Sequence, residues 1–301
     1  MQKTAEKGNL TLQNTVKNNR SGQNAVSNRD GSKNGSMLLR LEPIIEILQA
    51  ALWTGMLSDE KPVSVMLIAE QESAKTEALK YFRGTRTIRY LSDLTSRGLL
   101  PYKSDIKEGK LRHLCLLDLV RLLAHGKGVS ERTIQTIASL MEEGESETSD
   151  AGGRESWGTD FPRIGVLMAI TPRFFKAKRG KWRQTGFLTR FVPICFTYSQ
   201  NTVHEIHRQI ANGQGLPAPH AEQIPPLSYQ IALPKEFATI LSIQSEELGK
   251  RMRTYGFRYH RILRSLAKAR ARIEKRGNVN IEDVNKVLEW SRFFTDKEIV
   301  L

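Results

Sequence analysis

Cysteine is almost absent from this chain: two residues in 301, Cys115 and Cys195, each inside an apolar run. So few, so placed, exclude a disulfide-stapled scaffold and predict buried thiols in a reducing compartment. Long apolar runs are also missing. None approaches the ~20 residues of a helical membrane span, and the polar N-terminus has no signal-peptide core. Both absences predict a soluble, cytoplasmic protein without a membrane partner. Acidic residues are outnumbered, 32 Asp and Glu against 46 Lys and Arg, for a net charge of +14 and a pI near 9.8. That excess points to a polyanionic partner, most often nucleic acid; a merely basic surface is the plainer alternative. Large apolar residues are scarce through residues 1–36, which read as a disordered, mildly basic tail.

A hydrophobic content of 39% supports a real core. Ile44, Ile45, Leu48 and Leu52 recur at helical spacing. Val63–Ile68, Thr87–Leu91, Leu114–Leu117, Ile164–Ile170 and Arg190–Thr197 read as strands, with an amphipathic helix over Val129–Met141 for which Ser130 is the expected N-cap. Residues 142–160, rich in glycine, serine and acid, read as a long exposed loop. Strands alternating with helices predict an α/β fold with a mainly parallel sheet covered on both faces, a three-layer α/β/α core over residues 37–212. The prolines of residues 213–233 mark a linker. Residues 234–301 read as a small all-α domain: helices over Phe237–Arg253, Phe257–Lys275 and Ile281–Trp290, the last capped by Asn280 with Asp283 in its first turn.

The segment from Val63 to Thr76 carries the chemistry. A buried strand runs into a tight turn, and a helix opens at Lys75-Thr76, the layout of a phosphate-binding loop. The spacing is that of G-x-x-x-x-G-K-[ST], but Ala69 and Ala74 replace both glycines around Glu70, Gln71, Glu72 and Ser73. In such a loop backbone N–H groups cradle phosphate, Lys75 reaches the outer phosphates and the Thr76 hydroxyl meets magnesium. The plainer reading is a solvated lysine at a helix start. Asp118 ends the third strand, where a second magnesium ligand belongs, although an acid there can simply end a strand. The next residue, where an acid would orient water, is Leu119.

With these motifs in order, the chain resembles an AAA+ ATPase core with its helical lid, and the lid is most similar to those of the minichromosome maintenance helicases and their mobile-element relatives. Glu131–Glu143 resembles the helix after the Walker B strand. Gly165–Pro172 resembles the sensor 1 strand, with Thr171 where asparagine is usual. Phe187–Phe191 resembles the arginine-finger segment, and the run from Arg258 to Val284 resembles the lid. The resemblance implies a site for ATP and Mg²⁺. Lys75 would contact the β and γ phosphates and Thr171 would act as a polar sensor. Arg190 would reach the γ-phosphate of a neighbouring protomer, and Arg258 would approach the phosphates from the lid. It also implies a homo-oligomer, with a hexameric ring as one form, a protein partner in replication, and nucleotide-dependent assembly on DNA of a phage or mobile element. Without an acid at position 119, the alternative is a scaffold or DNA-binding adaptor with slow hydrolysis or none. A salt bridge at a strand start is the plain reading of Arg190.

Two basic clusters bear on nucleic acid. Arg173, Lys176, Lys178, Arg179, Lys181 and Arg183 interleave with Phe174, Phe175 and Trp182, read as a loop pairing backbone-tracking charge with stacking rings. An interface loop against a neighbour is the competing reading. The other cluster, Lys250–Arg276, reads mostly as a solvated helix face with contacts between protomers.

Overall fold

The computed structural model describes residues 38–144, 147–150, 153–156, 162–225 and 228–301; the expected N-terminal tail lies outside them. The chain runs α1 (Glu42–Thr54), β1 (Ser64–Ile68), α2 (Lys75–Lys80), β2 (Ile88–Leu91), α3 (Lys103–Lys107), β3 (His113–Leu116), α4 (Leu119–Ala124) and α5 (Lys127–Glu142). Then come β4 (Glu147–Asp150), β5 (Gly153–Ser156), β6 (Gly165–Ile170), α6 (Pro172–Gln184), β7 (Phe191–Thr197) and α7 (Gln200–Ala211). The last elements are α8 (Lys235–Met252), α9 (Phe257–Ile273), α10 (Ile281–Trp290) and β8 (Thr295–Val300). Six strands form one all-parallel sheet in the order β2-β3-β6-β1-β7-β8.

The alternation of side chains along each strand divides the interior in two. Val65, Leu67, Leu167, Ala169, Val192 and Ile194 face one way and pack with residues of α1, α2, α8, α9 and α10. Met66, Ile68, Leu114, Leu116, Val166 and Met168 face the other way, against α4, α5 and α6. Helices therefore cover both faces of the sheet, and strands buried on both sides read as unbroken apolar runs. Both cysteines are buried free thiols.

Several expectations are corrected. Residues 142–160 are not one loop: β4 and β5 pair antiparallel. The basic stretch after Thr171 is the helix α6 rather than a loop, because Phe175 and Trp182 turn inward beneath Phe187. Ser130 is not an N-cap: α5 starts at Lys127, and the Ser130 hydroxyl reaches the carbonyls of Leu122 and His125 at 2.9 and 3.0 Å. The C-terminal stretch does supply three helices, with Asn280 and Asp283 forming a reciprocal capping box on α10. The chain then returns as β8 to pair with β7. No helix among the described residues is long and apolar enough to cross a membrane.

Candidate functional site

In an open parallel sheet, ligands bind beyond the carboxyl ends of the strands, where successive connections diverge. From β1 the chain leaves toward β2; from β7 it leaves toward β8. Between these two ends lies a cavity of about 650 Å³, within the range of small-molecule sites. One wall is the turn from Glu70 through Glu77; the other is Tyr198 and the apolar face of α7, Val203, Ile206 and Ile210, with His207 and Leu216 at the rim.

The turn is strained where the two alanines differ. Ala69 is fully buried and its N–H donates to Ile170 O at 3.2 Å, so it continues the sheet. Ala74 takes φ 58° and ψ 11°, and Glu72 takes φ 62°. Each left-handed non-glycine residue costs roughly 1–2 kcal/mol, and such strain collects at functional turns. The turn is held from β7: Tyr198 Oη donates to Ser73 O at 3.0 Å. Burial raises the Tyr198 phenol well above its ordinary pKa, so it stays a donor. The Ser73 hydroxyl is buried with no hydrogen-bond partner among the described residues.

Lys75 is half-buried, and its Nζ donates to Glu70 O at 2.7 Å. Burial lowers its pKa, opposed by Glu70 and Asp118. Asp118 and Thr171 end β3 and β6, the two strands on one side of β1, so both stand beside the turn. Asp118 is exposed and caps α4 by accepting the Val120 N–H at 2.9 Å. Thr171 precedes α6 without a side-chain capping bond. Thr76 is half-buried on the cavity wall. Leu119 is fully buried in the second core, so the position after Asp118 faces away from the cavity. Helix α2 is only six residues long. Anion binding here would therefore rest on the turn N–H groups and Lys75 more than on a macrodipole. Among the described residues no group of three or more His, Cys, Asp or Glu side chains is placed to hold a metal ion. A magnesium ion would have to share Asp118 and Thr76 with phosphate oxygens, its usual manner of binding.

Arg190 and Arg258 are elsewhere. Arg190 directly precedes β7, whose Phe191 aligns with Ser64 at the start of β1. At ~3.3 Å per residue the sheet separates it from the turn by about 20 Å. Its Nη1 donates to Gly186 O at 2.6 Å. Arg258 bonds the Thr189 hydroxyl and lies 3.8 Å from Glu142. Lys61 Nζ and Arg261 approach the same carboxylate at 2.6 and 3.2 Å. Burial pushes Glu142 up, but Lys61, Arg258 and Arg261 outweigh it and hold the carboxyl at about 2. Within one chain Arg258 therefore stands with Arg190 at the amino edge of the sheet, away from Lys75.

The expected nucleic-acid residues also divide. Arg173, Lys176 and Lys178 face solvent on α6 beside Phe174. Lys181 pairs with Glu131, and Arg179 and Arg183 hold Asp296 of β8 at 2.7 and 2.6 Å. Trp182 is 2% exposed, packed on Phe187, and cannot stack on a base. The cavity wall of α7 went unread, although Ser199 caps it through the Thr202 N–H and Val203, Ile206 and Ile210 fall at helical spacing. No protein-family model matches the chain, and no curated protein matches it.

Proposed function

We propose that this chain is an AAA+-like nucleotide-binding module that assembles on DNA when it takes a nucleoside triphosphate with magnesium into the carboxyl-edge cavity. The observation that carries the reading is a strained turn that lines an open cavity with Lys75, while Asp118 and Thr171 end the two strands on the other side of that turn, outside the cavity lining. The turn N–H groups of residues 70–74 and Lys75 would hold the phosphates, with Asp118 and Thr76 toward the metal. Magnesium, when bound, supplies charge neutralisation on the phosphate oxygens. The distance of Arg190 and Arg258 from Lys75 supports a head-to-tail contact, in which one copy's arginines meet the nucleotide of the next. A role in replication of a phage or mobile element rests on the family resemblance alone.

Leu119 favours a second reading, an adaptor that binds nucleotide without turning it over. Its side chain belongs to the core. Titration of the full chain with ATP and Mg²⁺, with sedimentation at each point, tests the first claim; saturable binding with a shift to larger species is expected. Binding without phosphate release in the presence of single-stranded DNA selects the adaptor. No binding at millimolar ATP removes both.

A further inference from the structure

Tyr255 and Phe257 are the two most exposed large apolar side chains among the described residues, 87% and 76% accessible. They lie side by side, ring centroids 5.9 Å apart and planes 17° from parallel, at the turn between α8 and α9. Leaving two rings in water gains this chain nothing by itself.

The turn that carries them is fixed. Arg253 closes α8 at φ 56°, and Gly256 opens α9 at φ 81°. A Cβ on Gly256 would stand 2.4 Å from Ser245 O, and one on Gly249 would stand 2.8 Å from Gly256 N. The backbone packs too closely there for any other residue, so the rings sit on a rigid platform.

The surroundings are cationic. Between Glu247 and Glu274 the sequence has nine lysines and arginines and no acid. Most are engaged: Lys250 with Glu247, Arg258 and Arg261 with Glu142, and Arg264 and Lys268 with Glu60. Arg251 spends one N–H on Ser291 O. Arg253, two residues from Tyr255, is exposed and has no ion-pair partner among the described residues. The acids nearest in sequence, Glu246 and Glu247, belong to α8, whose backbone at Ser245 and Glu246 packs against Gly256.

We propose that this turn is a stacking platform for single-stranded nucleic acid: unpaired bases stack on the outer faces of Tyr255 and Phe257, and Arg253 and Arg251 take the adjoining phosphodiesters. Paired rings with free faces beside cations are what sequence-tolerant single-strand binding uses. A duplex, its bases already stacked, offers the rings nothing. The surface is separate from the nucleotide cavity, and the inference rests neither on that cavity nor on α6.

The test is fluorescence anisotropy of a labelled oligothymidylate, and of a duplex of equal length, with the full chain and no nucleotide. The variant Tyr255→Ala/Phe257→Ala is expected to weaken oligothymidylate binding by at least about tenfold, leaving duplex binding and the salt slope unchanged. Tyr255→Trp/Phe257→Trp retains parental affinity. Arg253→Gln lowers the slope of log K against log salt by about one. Parental affinity in the double alanine variant overturns the proposal, as does equal loss on duplex or the absence of single-strand binding in the parent. A changed sedimentation coefficient with unaltered DNA affinity makes the rings a protein contact and also overturns it. Absence of ATP binding leaves it standing.

Discussion

Lys75 Nζ donates its hydrogen bond to the carbonyl of Glu70, five residues back, at 2.7 Å. The amine thereby closes its own turn and stands where an anion entering between turn and lysine would compete for it. Replacing Lys75 with methionine keeps much of the stem and removes the charge. A charged hydrogen bond is worth about 1.5–3 kcal/mol, so ATP affinity should fall by about tenfold or more. Calorimetric titration checks this; equal affinity in Lys75→Met excludes the lysine from the site.

The two alanines of the turn should respond oppositely to glycine. Ala74→Gly removes a left-handed strain of about 1–2 kcal/mol at an entropic cost of about 0.5–1 kcal/mol, so it is neutral to stabilising. Ala69→Gly strips a methyl from the core at an ordinary backbone position and should cost about 1 kcal/mol. Urea unfolding of both variants gives the comparison.

Leu119→Glu, the change that would restore a water-orienting acid by sequence, should fail in this fold. The side chain enters the second core, where an unpaired carboxylate costs about 3 kcal/mol or more. The expected result is a lower melting temperature and no added phosphate release. A folded Leu119→Glu protein with raised turnover would show that this position can face the cavity.

Gly165 faces His113 across neighbouring strands, and a Cβ there would stand 2.3 Å from the imidazole and 3.1 Å from Val63 O. Gly165→Ala should cost about 1–3 kcal/mol by overpacking. Part of that should return in the double variant with His113→Ser, a coupling that a double-mutant cycle measures.

Acid should weaken the fold in two steps. Burial depresses His113 to about 4, so between the ordinary value of about 6.5 and 4 the unfolded chain binds a proton that the folded chain refuses. Stability falls as pH drops through that window. Glu142, held at about 2, acts next: its contribution is present above about 4.5 and is lost as pH falls toward 2. Its side chain is partly accessible, so it is worth about 1–3 kcal/mol. In Glu142→Gln the lower step should vanish from a pH series of urea midpoints, while the His113 step remains.

The sheet was legible because Val63–Ile68 and Ile164–Ile170 are apolar on both faces, which a strand between two helix layers requires. That Lys75, Asp118 and Thr171 stand near one another was legible because β1, β3 and β6 are neighbouring parallel strands with their ends on one side of the sheet. The α6 helix was not. Arg173 to Arg183 carries charge on every turn, and what orders it is distant: Asp296, 113 positions after Arg183, takes two of its arginines. Strand β8 was hidden for a related reason, since Asp296, Lys297 and Glu298 read as polar coil until β7 offers them an edge. The cluster at Glu142 also lay beyond local pattern, because Lys61, Arg190, Arg258 and Arg261 come from three separate stretches.

Strand β1 has a further consequence for biosynthesis. Its Met66 pairs with Met168 on one side and Pro193 on the other, both more than a hundred positions later. A nascent chain leaving the ribosome must therefore carry this buried strand without neighbours until β6 has been made, and with one edge open until β7 follows. Such delayed, long-range closure makes folding slow and the growing polypeptide prone to wrong pairing, so fragments halted before residue 190 should accumulate on chaperones.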